Sequence, residues 1–202
     1  LDNTEMTEKE KDDKVAEILS YVGISKENFF KFPHELSGGQ RQRVVIARAM
    51  VSSPEFIVCD EPVSALDVSV RSQVLNLMKE IQVQKGISYL FISHDMSVIN
   101  FLCDEVAVMY LGQIVEYADR KELFSNPLHP YTKALLSSIP LPDVDHKKNR
   151  IILNGDIPSP SHPPKGCRFH TRCPYAKESC TENCPDLTDT GNGHLVACDR
   201  IK

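Results

Sequence analysis

Two short motifs in a fixed order constrain this chain more than anything else in it. Leu36-Ser37-Gly38-Gly39-Gln40 is followed, sixteen residues beyond Gln40, by an apolar run ending in two acids, Phe56-Ile57-Val58-Cys59-Asp60-Glu61-Pro62. Ser37 with Gln40 three residues on fits a capping box, which opens a helix through Gln42-Arg43-Val44-Val45-Ile46-Ala47-Arg48. A helix start presents unpaired N–H groups and the positive end of the dipole, so it attracts anions. Gly38 and Gly39 leave no side chain to obstruct a phosphate there, and the Ser37 hydroxyl can turn toward it. Phe56 to Cys59 is short, apolar and partly β-branched, the pattern of a parallel strand covered on both faces. Ligands of open α/β sheets bind beyond the carboxyl ends of the strands, and Asp60 and Glu61 fall there. One carboxylate holding hydrated Mg²⁺ and a second aligning the attacking water is the division of labour phosphoryl transfer needs. A capped surface helix or a solvated acidic turn accounts for either motif alone. The ordered pair is far more specific.

The chain around these motifs reads as alternating helix and strand. An acidic start, Asp2 to Asp13, gives way to a helix bearing Val15, Ile18, Leu19 and Val22, ended by Gly23. After Val63-Ser64-Ala65-Leu66-Asp67 comes a helix with Val70, Val74, Leu77, Met78 and Ile81 on one face, ended by Gly86. A second apolar strand, Ile87 to Ser93, delivers His94-Asp95 at its carboxyl end. A lone histidine is more often structural. At a strand tip beside two acids it can bond a terminal phosphate and position water. Further on, strands at 105–110 and 113–117 are joined by Leu111-Gly112, and Pro130 starts a helix to Ser138.

Positions 15 to 125 resemble the ABC ATPase family. Leu36 to Gln40 is similar to its signature loop, Phe56 to Glu61 to its Walker B strand, Ser64 to Asp67 to its D-loop, and His94 to its switch histidine. The resemblance implies an α/β fold: a partial P-loop NTPase sheet of the ABC type, parallel, with a helical signature segment. It implies that Asp60 supports Mg²⁺, that Glu61 is the general base and that His94 senses the γ-phosphate. By the same resemblance Ser37, Gly38, Gly39 and Gln40 meet ATP held by an opposite subunit, and Asp67 communicates across the dimer. One departure stands out: no Gly-x-x-x-x-Gly-Lys-Ser/Thr occurs, and the first residue is Leu1. The expectation is a truncated chain carrying half of each of two composite ATP sites, not a competent ATPase by itself.

A net charge of −5 argues against nucleic acid as the main ligand. No apolar run approaches the roughly 18 residues of a membrane span, and no signal peptide is expected. Membrane association would have to come through a partner.

The chain changes character near Pro140, which divides it into 1–140, the later part of a nucleotide-binding domain, and 141–202, a Cys- and Pro-rich extension. From Pro140 on come eight of the thirteen prolines and five of the seven cysteines. Ile139-Pro140-Leu141-Pro142 reads as a linker and Asp143 to Arg150 as a solvated loop. From about 151 there is too little apolar periodicity for a separate core, so something else must order the segment. Clustered thiols in an intracellular protein more often bind metal than form disulfides. Cys167, Cys173, Cys180 and Cys198 are spaced x5, x6 and x17, with Cys184 left over. Spacing leaves zinc and iron–sulfur both open. Cys59 and Cys103 sit in apolar runs and read as inert core thiols.

A narrower resemblance covers nearly the whole chain. Asn126-Pro127-Leu128-His129-Pro130-Tyr131-Thr132-Lys133-Ala134-Leu135-Leu136 and Gly166-Cys167-Arg168-Phe169-His170-Thr171-Arg172-Cys173-Pro174-Tyr175-Ala176 are similar to the C-terminal extension of ATP-binding subunits of oligopeptide and dipeptide importers. Val58 to Ser69 resembles the F-type subunit. This resemblance implies a [4Fe–4S] cluster on Cys167, Cys173, Cys180 and Cys198. It also implies a second ATP-binding subunit, two transmembrane permease subunits and, indirectly, an extracytoplasmic peptide-binding protein, with the chain at the cytoplasmic face of the membrane. Alternatives are a nickel importer subunit, or a soluble ABC protein acting on nucleic acid or ribosomes. The acidic balance and the motif at 126–136 disfavour the latter.

Overall fold

The computed structural model describes residues 5–139 and 150–201. The linker at Pro140–Pro142, most of the charged loop after it and the boundary placed at 140 lie outside them. Contacts group the chain into two units, Leu1–His94 and Asp95–Lys202. Among the described residues no helix is long and apolar enough to cross a membrane.

The first unit packs three helices against a small sheet. Helix α1 (Glu8–Tyr21) starts earlier than its apolar face suggests, because Thr7 and Glu10 form a capping box and the acids Glu8 and Glu10 suit the first turn. Gly23 follows at φ +79°, a left-handed turn that glycine adopts without strain. Helix α2 (Gly38–Met50) leads to strand β1 (Phe56–Asp60), helix α3 (Val68–Lys85) and strand β2 (Ser88–Ile92). Strands β1 and β2 pair in parallel, with Asp60 opposite Ile92. Val22, Ile24, Ala47, Met50, Leu77, Ile81 and Ile87 form the core, with Ile57 and Tyr89 packed on it. Strand β1 is not covered on both faces as its sequence predicts. Cys59 is buried, whereas Phe56 and Val58 are 55% and 57% exposed. A two-stranded sheet with helices on one side leaves the alternate residues of each strand in solvent.

In the second unit, α4 (Met96–Leu102) precedes an antiparallel hairpin of β3 (Glu105–Tyr110) and β4 (Gln113–Asp119). Leu111 and Gly112, at φ +46° and +79°, make its two-residue turn. Helices α5 (Arg120–Ser125) and α6 (Pro130–Ser137) follow, then the short α7 (Ser179–Glu182) and strands β5 (Thr188–Asp189) and β6 (Leu195–Val196). The sheet order is β3-β4-β6-β5, so the Cys-rich extension docks on the hairpin instead of forming a separate module. Phe169, 1% exposed, stacks edge-on against Tyr110 at 5.2 Å and lies 5.4 Å from Tyr131. The turn itself is tied down, since the Arg168 guanidinium donates to the Leu111 carbonyl.

A bulge between Val108 and Met109 breaks the alternation of β4, so Val115 and Glu116 are both buried. A buried carboxylate is costly unless its lone pairs are filled. Glu116 accepts from the Leu128 and His129 amides at 2.6 and 3.0 Å, and its Oε1 lies 2.8 Å from His194 Nε2. His194 Nδ1 reaches Glu122 at 3.3 Å.

His129 caps α6, its Nδ1 accepting from the Tyr131 amide. Burial pushes its pKa down to about 4, against a smaller raising effect from Glu116. A depressed histidine pKa means that the unfolded chain takes up the proton first. Stability is therefore complete above about pH 6.5 and falls toward pH 4, by about 3 kcal/mol for this residue. Urea midpoints read by tyrosine near-ultraviolet circular dichroism at pH 7.5 and 4.5 check this. His129→Asn keeps a capping acceptor without titrating, so it is expected to flatten the pH slope. An equal slope in the variant would show that other groups carry it.

Candidate functional site

The predicted catalytic pair meets at the carboxyl ends of β1 and β2. Glu61 Oε1 lies 2.8 Å from His94 Nδ1, with the glutamate 37% and the histidine 78% exposed. The backbone aims Glu61 there. Its φ is +48°, a left-handed conformation that costs a non-glycine residue about 1–2 kcal/mol. Three bonds hold it: the Glu61 amide donates to Ile92 O at 3.0 Å, while the Ser64 amide and hydroxyl donate to Glu61 O at 3.3 and 3.0 Å. Strain maintained by surrounding bonds is a mark of functional positions. Asp60 ends β1 and is exposed.

Ser37 opens α2 as its sequence predicts. Its Oγ accepts from the Gln40 amide at 3.3 Å, and Gln40 Oε1 accepts from the Ser37 amide at 2.9 Å. The hydroxyl proton is not used by this box, so exposed Ser37 keeps a donor for an incoming phosphate. Arg41, which sequence reading passed over, donates back to Leu36 O at 2.7 Å and fixes the loop. Asp67 caps α3, accepting from the Val70 amide and the Ser69 hydroxyl at 2.9 and 2.8 Å. These bonds, the Val70 amide first, hold its carboxyl below the ordinary range.

The two glycines differ. A Cβ on Gly38 would meet only Leu66 Cδ2 at 3.7 Å and Arg41 Nη2 at 3.9 Å, an open position. Gly39 is buried, and a Cβ there would stand 2.5 Å from Val70 Cγ1. Its missing side chain thus serves packing between α2 and α3 within this chain. Among the described residues no hydrogen bond joins Ser37–Gln40 to Asp60, Glu61 or His94. A cavity of about 370 Å³ opens beside the carboxylates, bordered by Asp60, Glu61, Ser64, Gln42 and Val58. Among the described residues no lysine or arginine lines it.

In the second unit Cys167, Cys173, Cys180 and Cys198 line one cavity of about 20 Å³, while exposed Cys184 accepts from Gln113 Nε2 at 3.0 Å. Burial pushes the Cys167 and Cys173 thiols up, and the neighbouring thiols add to it. Four soft donors lining one cavity suit a metal cluster in kind. The space holds about one water-sized sphere, so a cubane requires the thiols to part around it. Among the described residues no three His, Cys, Asp or Glu side chains stand as a finished metal-holding group. Cys59, pushed up to about 11 by burial, is a core thiol as expected.

Known proteins share both halves of this arrangement. The family model described as ABC transporter matches residues 1–64, and the one described as Oligopeptide/dipeptide transporter, C-terminal region, matches 115–180. The chain is 53% identical over 194 residues to Oligopeptide transport ATP-binding protein AppF of Bacillus subtilis, covering 95% of this chain and 59% of that protein. This chain is a homologue of the oligopeptide and dipeptide transport ATP-binding proteins. Dipeptide transport ATP-binding protein DppF of Haemophilus influenzae is 51% identical over 199 residues, 98% of this chain and 61% of that relative. Among solved structures, the ADP conformation of MJ1267, an ATP-binding cassette of an ABC transporter, superposes with a TM-score of 0.57 at 28% identity, covering 68% of this chain and 54% of that one. For cbiO1 from Clostridium perfringens, part of the ABC transporter complex cbiONQ, the TM-score is 0.56 at 33% identity, with 61% and 49% covered. The fold is therefore that of the ABC ATPases. This oligopeptide/dipeptide-transport homologue spans about 60% of the length of those two curated relatives.

Proposed function

We propose that this chain supplies catalytic and interface residues of the ATP-hydrolysing, energy-coupling subunit of an oligopeptide or dipeptide importer. The observation that carries this reading is Glu61, held left-handed at a strand end and paired with His94. Glu61 takes the proton of the attacking water as general base, and His94 keeps that carboxylate aimed and reaches the terminal phosphate. Asp60 would hold Mg²⁺ through water, and the ion supplies charge neutralisation on the phosphates when bound. Ser37, Gly38, Gly39 and Gln40 present a hydroxyl and a helix start to ATP on a second ATP-binding subunit, and Asp67 stands at the same face. Without a Gly-x-x-x-x-Gly-Lys-Ser/Thr loop this chain alone is not expected to turn ATP over.

Two permease subunits would bring the assembly to the cytoplasmic face of the membrane, fed by an extracytoplasmic peptide-binding protein. Support comes from relatives named for oligopeptide and dipeptide transport. We further propose a [4Fe–4S] cluster on Cys167, Cys173, Cys180 and Cys198, supported by the convergence of those four thiols on one cavity. Uptake of radiolabelled di- and oligopeptides tests the importer reading. Deleting the gene should abolish ATP-dependent uptake, and the intact gene should restore it. Undiminished peptide uptake in the deletion strain, with no second importer to account for it, would overturn the reading.

A further inference from the structure

The contact between Gly39 and Val70 joins two loops that sequence reading treats separately. Val70 is held from both sides. Its amide donates to Asp67 Oδ1 at 2.9 Å, and its Cγ1 stands 2.5 Å from where a Cβ on Gly39 would lie. Leu66 lies alongside Gly38, the nearest atom to a Cβ there being Leu66 Cδ2 at 3.7 Å. The loops are also anchored alike, Arg41 donating to Leu36 O at 2.7 Å and Arg71 to Leu66 O at 3.1 Å. A β-branched side chain in a helix has one strongly preferred χ1 rotamer, so Val70 cannot swing aside cheaply.

We propose that Val70 is a positioning residue that locks the Ser37–Gln40 loop to the Ser64–Asp67 loop, so that both present to nucleotide as one rigid block. The proposal rests on the reading that these loops face ATP across a subunit interface. Gly39 is a glycine because Val70 occupies its Cβ position. A displacement at Asp67 is passed through the Val70 backbone and side chain to the start of α2. The loop that meets one nucleotide thereby moves with the loop that caps α3.

The test is a rescue in the assembled importer, reading kcat, KM for ATP and ATP-dependent closure by crosslinking. Gly39→Ala should lower kcat by about tenfold or more, in line with overpacking a tight contact. Adding Val70→Ala removes the offending methyl and should return kcat to within about threefold of Val70→Ala alone, since contacting residues couple. Val70→Thr keeps the branch and should not rescue. Val70→Ala by itself should lower kcat, counted per titrated ATP-binding site so that a misfolded fraction does not enter, and lower closure, while the KM for ATP stays within about twofold. A harmless Gly39→Ala overturns the proposal, and so does a double variant as impaired as Gly39→Ala. The second result would place the need for glycine at the phosphate. Failure of the ATP-facing reading shows separately, as ATP-dependent crosslinking that Gly38→Asp leaves unchanged, since Gly38 is an open position where a carboxylate would repel only an incoming phosphate.

Discussion

Glu61→Gln in the complete subunit with its partners is expected to retain ATP and slow hydrolysis roughly 10²–10⁴-fold, the loss that follows removal of a general base. Glutamine matches glutamate in shape, so its amide oxygen can still accept from His94 Nδ1 across the present 2.8 Å. The left-handed backbone is fixed by bonds to Ile92 and Ser64 that do not involve the side chain. The substitution therefore removes a proton acceptor while sparing the structure that aims it. Nucleotide binding measured by fluorescent ATP analogue and turnover measured in the reconstituted complex separate the two effects. Unchanged turnover would show that Glu61 is not the base.

Anaerobically purified protein is expected to be brown, with iron and acid-labile sulfide at about four each per chain, the content of a cubane cluster. Cys173→Ser should lose the colour and Cys184→Ser should keep it, because only the former lines the cavity shared by the other three thiols. Loss of the cluster should loosen residues 167–184 to protease more than residues 188–197, where β5 pairs with β6 and β6 with β4. Colourless protein with one zinc per chain would overturn the cluster.

Local pattern made most of the first unit legible before any coordinates. The Ser37–Gln40 capping box, the acids after β1 and the histidine after β2 each depend on residues a few positions apart. Parallel pairing of β1 with β2 then brings Glu61 to His94. The Gly39–Val70 approach was illegible, since a glycine in a helix start says nothing of what stands opposite. The second unit hid more. Glu116 and His194 are 78 residues apart, and a glutamate in a strand reads as solvent-facing until a bulge turns it inward. The extension is ordered in part by apolar residues that its sequence does not announce. Phe169 and Val196 are each 1% exposed, which no two- or four-residue period announces in so short a segment.

The pairing of β6 with β4 has a consequence for synthesis. Val196 and Leu195 lie opposite Glu116 and Tyr117, and His194 fills one of the three positions around the buried Glu116 carboxylate. Until residues 188–196 have left the ribosome, β4 offers a bare edge to any neighbouring chain and Glu116 lacks the His194 contact, keeping only the Leu128 and His129 amides. The nascent chain is thus most prone to mispair just before this stretch emerges, and a premature stop ahead of Thr188 would freeze that state. The two-residue strand β5 then becomes the border of the sheet on that side, too short to template another chain.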